Sequence, residues 1–283
     1  MRLRRTDVGL VGGSGEGPRP ENWLFKQGPI VGILLGMQLP GTGRPVLLAL
    51  TPRQQLRAGR MPRRVIQLLV GLFLYGASMA LVLRAGLGIE PWGVLHQGLT
   101  HYLPLSYGEV TIGVSLIVLL LWVPLRQWPG LGTICNAVLV GVFVDLVLGV
   151  LPTPEAMPIR IAAVVGGIVL NGLAGAIYIG AQLGPGARDG LMTGLVARTG
   201  RPVWMIRTGI ELAVVIVGFL LGGNLWIGTV AYALSIGPLV QFFLPLVTVR
   251  LPGGQPAADI AGQPAGIGHW GQPTSGVDQP HDL

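Results

Sequence analysis

The sequence has little charge and a single cysteine, and both shortages limit what the protein can be. Charged residues make up 11% of the 283 residues, whereas hydrophobic residues make up 51% and the mean hydropathy is +0.64. A soluble globule needs a far more polar surface, so the composition argues against a soluble enzyme and favours a membrane protein. With only Cys135, an internal disulfide and a paired-thiol metal or redox site are both excluded.

The chain also lacks the motifs of common catalytic and metal sites. No glycine-rich loop stands between a strand and a helix, which argues against ATP-driven transport by this chain alone. No serine sits in a nucleophile motif. His96 and His101 are five residues apart, unlike the four-residue spacing of a zinc-binding helix. We therefore expect no enzymatic activity, no metal and no cofactor.

Six apolar segments are present, and each predicts a membrane-spanning helix. Within a bilayer only a helix or a closed barrel satisfies its own backbone, and these segments lack the alternation of barrel strands. The second and fifth are near the lower length limit for a span. The segments cover approximately residues 65–83, 110–125, 133–151, 161–183, 208–222 and 226–247.

Flanking sequences predict the domain limits. Residues 1–60 are rich in Gly, Pro and Arg and are expected to form a disordered extension, with Met61 as a candidate true start. Residues 61–251 form the expected transmembrane domain, and residues 252–283 an expected disordered tail.

Arginine positions predict the orientation of the helices. Although the net charge is +7, the arginines cluster beside apolar segments rather than along one polar face, so they favour a topology signal over nucleic-acid binding. Only Arg84 and Arg160 flank the opposite set of loops, which places both termini in the cytoplasm. The richer set comprises Arg53, Arg57, Arg60, Arg63, Arg64, Arg126, Arg188, Arg198, Arg201 and Arg250.

An internal repeat is visible when residues 64–148 are laid over residues 160–244. A constant shift of 96 positions, without gaps, gives 21 identities in 85 positions, seven of them glycines. Biased composition alone would supply roughly a tenth. Each unit holds three spans, so the second copy must enter the membrane from the opposite side. The expected fold is therefore an all-α membrane helix bundle of two inverted three-helix repeats.

Matching Gly/Pro breaks follow the first and fourth segments. Residues 86–99 and 183–195 are too apolar for a free loop and too short to span. They are typical of re-entrant half-helices, whose exposed ends form binding sites in transporters, or of interfacial helices lying flat on the membrane. Both alternatives remain open from sequence.

Charged and aromatic side chains in the breaks and spans are the candidate binding or transport residues. A charge near the bilayer centre costs at least about 2.5 kcal/mol, so each needs a partner or a role. Arg207 and Glu211 are four residues apart and could simply pair, and Asn136 and Asn171 are expected to join helices. The candidates are Glu90, Trp92, Asp145, Arg188, Asp189, Arg207 and Glu211.

The segments 87–95, 186–192, 200–203 and 207–211 resemble the YczE/YyaS/YitT family of bacterial membrane proteins. The resemblance extends over about residues 61–251 and is closest to the YczE-like members. It implies a multi-pass protein of the bacterial plasma (inner) membrane, and it implies no settled activity. It also suggests an accessory role beside a natural-product synthetase or an exporter.

Two functions are compatible with these features. The inverted repeat and paired breaks favour a secondary transporter or channel for a small polar solute within the lipid bilayer. The alternative is a noncatalytic scaffold that contacts a membrane or synthetase partner protein, and no role with nucleic acid is expected.

Overall fold

The computed structural model describes residues 51–251, and these fold into helices joined by short connections. No β-strand occurs in this range. We number the nine helices of the range α1 (Pro52–Arg57), α2 (Met61–Ala85), α3 (Pro91–Thr100), α4 (Tyr107–Leu125), α5 (Leu131–Val150), α6 (Met157–Gly180), α7 (Ala187–Thr199), α8 (Val203–Leu220) and α9 (Ile227–Val247).

Six of these helices, α2, α4, α5, α6, α8 and α9, are long and apolar enough to cross a membrane. This confirms the all-α prediction and the six candidate spans. The two spans predicted to be short begin earlier than their apolar segments. Ser106 and Glu109 form a capping box that starts α4 at Tyr107, and Pro202 caps α8 just before Val203. A polar first turn hid the start of α4 from a hydropathy reading, whereas in α8 Arg207 separates the apolar residues 203–206 from the predicted segment.

Helix α1 lies in the segment that composition assigned to a disordered extension. Thr51 and Gln54 form a capping box that begins it, and Gln55 is buried against α2. The remainder of that prediction, residues 1–50, and the expected tail at residues 252–283 lie outside the described residues.

Two arginines join the opposite ends of α2 and α6. Near the start of α2, the fully buried Arg64 donates from Nε to the carbonyl of Ala181 (2.8 Å) and from Nη2 to that of Gln182 (2.6 Å). Near the start of α6, Arg160 donates to the carbonyls of Ala85 (2.6 Å) and Gly86 (3.2 Å). The start of each helix therefore lies beside the end of the other, so α2 and α6 run antiparallel.

Glycines allow α2 and α6 to approach closely. A Cβ atom on Gly71 would lie 2.7 Å from the backbone nitrogen of Tyr178, and one on Gly167 would lie 2.5 Å from a methyl group of Val82. Both distances are shorter than real carbon contacts. Close backbone approach through glycine is the usual way for membrane helices to pack, because lipid supplies no hydrophobic force between them.

The other helices surround this pair. Helix α5 packs on α2 and α9 packs on α6, while α3 packs on α8 and α7 packs on α4. The helices are not packed alike on the two sides of this pair. Helix α4 packs along α5, whereas α8 and α9 do not pack along each other. Helices α8 and α9 accordingly bury little of their surface within the chain.

The two breaks bring the starts of α3 and α7 together midway along α2 and α6. Arg64 and Ala85, which mark the two break origins, are about 32 Å apart along α2 at 1.5 Å per residue. Trp92 is seven residues beyond Ala85, and Arg188 is seven residues beyond Ala181, whose carbonyl Arg64 binds, so each segment spans at most about 25 Å. Yet the Arg188 guanidinium lies 4.9 Å from the centre of the Trp92 ring. Both breaks must therefore run inward towards the middle of the bundle.

We expect Arg64→Gln to destabilise the protein, because it removes hydrogen bonds that join α1, α2 and α6. Each charged hydrogen bond contributes about 1.5–3 kcal/mol, so the thermal midpoint in detergent should fall by several degrees. Arg63→Gln is the control because Arg63 is exposed. Equal midpoints for the two variants would contradict a structural role for Arg64.

We also expect Gly71→Ala to lower the unfolding midpoint, because its Cβ would press on the Tyr178 backbone and overpacking costs about 1–3 kcal/mol. Gly113→Ala should leave the midpoint unchanged or raise it, since no atom lies within 4 Å of a Cβ there. Thermal unfolding of both variants, compared with the parent chain, tests the close packing of α2 against α6.

Candidate functional site

The meeting point of α3 and α7 contains the charged residues that stand out in the breaks. Arg188, the second residue of α7, stacks over Trp92, the second residue of α3. A cation over an indole ring is stabilised by the ring quadrupole. Trp92 is itself buried beside Trp122, whose Nε1 donates to the carbonyl of Ala187 (2.9 Å). These contacts fix the start of α7 against α3 and α4.

A cavity of about 80 Å³ lies at this meeting point. It is several times smaller than the pockets of about 300–1,000 Å³ that hold drug-sized ligands. Five helices (α2, α4, α5, α6 and α7) and the break before α7 contribute to its walls. The lining residues are Tyr75, Thr111, Ser115, Asn136, Val140, Tyr178, Gly186, Ala187, Arg188 and Asp189.

Three polar side chains in the cavity wall lack hydrogen bonds. Arg188 forms neither a hydrogen bond nor a salt bridge with any residue in the range 51–251, and its guanidinium contacts the Trp92 ring. Ser115 and Asn136 likewise form no side-chain hydrogen bond within that range. Ser115 is buried and Arg188 and Asn136 are half-buried, so the cavity wall has donors and acceptors that no residue in the described range uses.

Asp189 is partly engaged by its own surroundings. Its carboxylate accepts a hydrogen bond from the Tyr178 hydroxyl (3.3 Å) and lies beside Gly186, the N-cap residue of α7. Burial raises the pKa of the Asp189 carboxyl, while Arg207 is the main group opposing that rise.

Glu90 lies on the other side of Arg188, at the N-cap of α3, with only 3% of its surface exposed. Burial raises the pKa of its carboxyl above the ordinary value, and the positive charge of Arg188 opposes that effect. One carboxylate oxygen has no hydrogen-bond partner among the described residues. The lack of a side chain at Gly93 makes room for both this carboxylate and the Tyr107 hydroxyl. A Cβ atom at position 93 would lie within 3 Å of both groups.

Buried polar side chains lie between Glu90 and the cavity wall. The rings of His96 and Tyr107 contact each other edge to face, with their centroids 5.8 Å apart. The Nδ1 atom of His96 lies 3.1 Å from the Thr111 hydroxyl. His96 Nε2 and the Tyr107 hydroxyl have no partner within residues 51–251. Burial lowers the pKa of His96, which keeps the ring neutral.

Four of the seven sequence-predicted site residues therefore converge, and three do not. Glu90, Trp92, Arg188 and Asp189 meet at the centre. Asp145 instead accepts hydrogen bonds from Ser106 and from the backbone of Gly108, where it caps the start of α4. Arg207 and Glu211 form the expected pair at 3.0 Å on the surface of α8, with side chains 45% and 36% exposed.

Sequence reasoning missed the neutral polar part of the site. Thr111, Ser115, Tyr75 and Tyr178 belong to apolar helices and carry no motif. Their signal was only a hydroxyl every four residues in α4, at positions 107, 111 and 115. Asn171 joins α2, α6 and α9 as expected, since it donates to Ser78 (2.7 Å) and accepts from Tyr232 (2.7 Å). Asn136 instead faces the cavity.

The charges at the site are mixed rather than of one sign. One guanidinium and two carboxylates lie near the partial positive ends of two helices. In the range 51–251, no group of three or more His, Cys, Asp or Glu side chains is placed to hold a metal ion. The arrangement can bind a small polar or charged molecule through hydrogen bonds and one cation.

Comparisons with known proteins match the helical region. A family model described as a family of unknown function (DUF6198) matches residues 62–245. An uncharacterised protein of Haemophilus influenzae is 38% identical over 185 residues, which cover 65% of this chain and 84% of that protein. The uncharacterised membrane protein YczE of Bacillus subtilis is 34% identical over 172 residues (60% and 80%), and YyaS of the same organism is 25% identical over 182 residues (63% and 90%). These matches confirm the YczE-like resemblance. No solved structure matches.

We expect two buried tyrosines to respond oppositely to loss of the hydroxyl. Tyr232→Phe should lower the unfolding midpoint, because its hydrogen bond to Asn171 contributes about 0.5–1.5 kcal/mol. Tyr107→Phe should leave the midpoint unchanged or raise it, because its hydroxyl is buried without a protein partner. If thermal unfolding shows equal losses, the Tyr107 hydroxyl has a partner after all.

Proposed function

The chain belongs to the DUF6198 family of YczE-like membrane proteins, and we propose that it is a non-enzymatic secondary transporter or channel that moves a small polar solute through its central cavity. The single observation that carries the proposal is a small cavity where the starts of two short helices meet, with an unpaired guanidinium in its wall. Interrupted helices that meet midway are a recurrent form of solute site in transporters.

Matched contacts support an inverted repeat as the basis of this function. Arg64 pairs with Ala181, and its equivalent 96 residues later, Arg160, pairs with Ala85, which is the equivalent of Ala181. The same exchange relates the hydrogen bond from Gly132 to Leu183 (2.7 Å) to that from Gly228 to Leu87 (2.8 Å). Such reciprocal pairs are expected when two copies of one unit face in opposite directions.

Re-entrant helices, rather than helices lying flat on the membrane, fit these distances best. The starts of α3 and α7 touch although their breaks begin at opposite ends of α2. The cavity wall includes Tyr75, Ser115 and Val140, each from the middle part of a candidate span. A site at that depth would be reached from either face of the bilayer, as alternating access requires.

The proposed location is the bacterial plasma membrane with both termini cytoplasmic. Six spans place the two ends of the domain on one face, and the arginine-rich loops favour the cytoplasmic face. A transporter in this membrane would exchange its solute between the cytoplasm and the outside of that membrane.

Flux through the reconstituted full-length protein tests the proposal. Uptake into proteoliposomes should exceed that into empty vesicles for at least one labelled solute in a panel of small carboxylates, amino acids, polyols and amines. Arg188→Gln should reduce this uptake at least about tenfold, since a charged hydrogen bond is worth about 1.5–3 kcal/mol. Arg201→Gln is the matched control because Arg201 is exposed and does not line the cavity.

A scaffold function is the second candidate, and the surface of α8 favours it. This helix buries only Gly218 and presents the Arg207–Glu211 pair at its surface. Charges facing lipid are costly, so a partner protein covering α8 would stabilise the pair. Uptake equal to that of empty vesicles for every solute, with a stoichiometric partner crosslinked to α8, would reject transport and support the scaffold.

A further inference from the structure

The start of α7 is a set of free backbone donors that faces the cavity. Its N-cap residue is Gly186, which has no side chain to cap the helix, and the first hydrogen bond of the helix runs from Gly190 to Gly186. The N–H groups of residues 187–189 therefore have no acceptor in the preceding turn. Since residues 186–189 line the cavity, the positive end of the helix dipole lies at its wall.

A guanidinium adds a full positive charge to these donors. Arg188 rests on the Trp92 ring, and it has no hydrogen-bond acceptor within residues 51–251. The contact with the ring uses none of the N–H donors of the guanidinium as a hydrogen bond, so these donors are available to another molecule. A planar, two-oxygen anion matches the fork of donors on this edge.

An independent side chain on another helix also faces the same space. Ser115 of α4 is only 9% exposed, lines the cavity, and forms no side-chain hydrogen bond within the described range. A hydroxyl buried to this degree normally has a partner. It can donate to an anion oxygen from another helix of the same cavity wall.

We propose that the cavity binds a small monocarboxylate, whose two oxygens are held by Arg188, the start of α7 and Ser115. This inference rests on the proposed function and names its solute class. Val140 and Ala187 provide apolar wall for a short carbon chain, and a volume of about 80 Å³ limits that chain to a few atoms.

The neighbouring carboxylates set the charge of this ligand. Glu90 and Asp189 both lie near Arg188, so a second negative charge on the ligand would be repelled. Asp189 is directed towards Gly186 and Tyr178, which leaves Arg188 as the cation available for a single carboxylate. A monovalent anion therefore fits better than sulfate or another dianion.

Calorimetric titration of the full-length protein in lipid nanodiscs tests this assignment. The probes are sodium acetate, propionate and lactate, with acetamide as the neutral isostere of acetate and sodium chloride and sodium sulfate as inorganic anions. At least one monocarboxylate should bind saturably and at least about tenfold more tightly than acetamide, chloride or sulfate.

Two pairs of variants locate the site. Arg188→Gln should weaken binding of that monocarboxylate at least about tenfold, and Ser115→Ala should weaken it several-fold. Arg201→Gln and Ser235→Ala should bind as the parent does, because neither residue lines the cavity. Unchanged unfolding midpoints would show that all four variants are folded.

Several results would overturn the assignment. These are no binding of any of the three monocarboxylates by folded protein, equal binding of acetate and acetamide, equal binding of chloride, or full binding by Arg188→Gln. The proposed function fails separately, since monocarboxylate binding without uptake would reject transport and keep the site. Uptake of an uncharged solute without monocarboxylate binding would support transport and reject the monocarboxylate site.

Discussion

The reciprocal clamp between α2 and α6 determines where every other part of the structure lies. Arg64 and Arg160 each donate to carbonyls at the end of the opposite helix. No later turn of that helix supplies N–H groups that could bind these carbonyls. In an apolar environment those carbonyls would otherwise stay unpaired at a cost of several kcal/mol. The clamp therefore fixes both the antiparallel direction and the register of the central helices, and the glycine contacts of Gly71 and Gly167 follow from that register.

The clamp also explains why a cavity forms at the centre. Because each break begins at an arginine-bound helix end, the two breaks start at opposite ends of α2, and the starts of α3 and α7 are in contact between those ends. Trp92 and Arg188, which are 96 positions apart, occupy that meeting point and contact each other. Backbone donors at the start of α7, a guanidinium and two carboxylates are thereby concentrated in a small volume that no continuous helix could provide.

Hydrophobicity and the placement of charge in the sequence predicted part of this arrangement. The spans follow from apolar length, and the importance of Glu90, Trp92, Arg188 and Asp189 follows from charge within the breaks. Packing decided the remainder. Asp145 caps α4 because that helix starts beside α5, and Arg207 and Glu211 lie at the surface because α8 and α9 do not pack together. Thr111 and Ser115 join the site only through the rotation of α4, which composition does not encode.

Residues that differ between positions 96 apart determine which side of the bundle centre contains the cavity. Asn171 and Tyr232 bond to each other and fill one side, whereas their equivalents 96 residues earlier, Tyr75 and Asn136, line the cavity. The contact of α8 with α3 differs from that of α4 with α7 in a similar way. Gly218 lets the backbone of Val94 and Leu95 approach α8, whereas its equivalent Trp122 packs against Gly190 of α7. The Trp122 indole joins α4 to the start of α7 through its hydrogen bond to Ala187, and Ser115 of α4 lies at the cavity wall. Residues that differ between positions 96 apart therefore line the cavity beside Arg188 in the part of the chain that the structure describes.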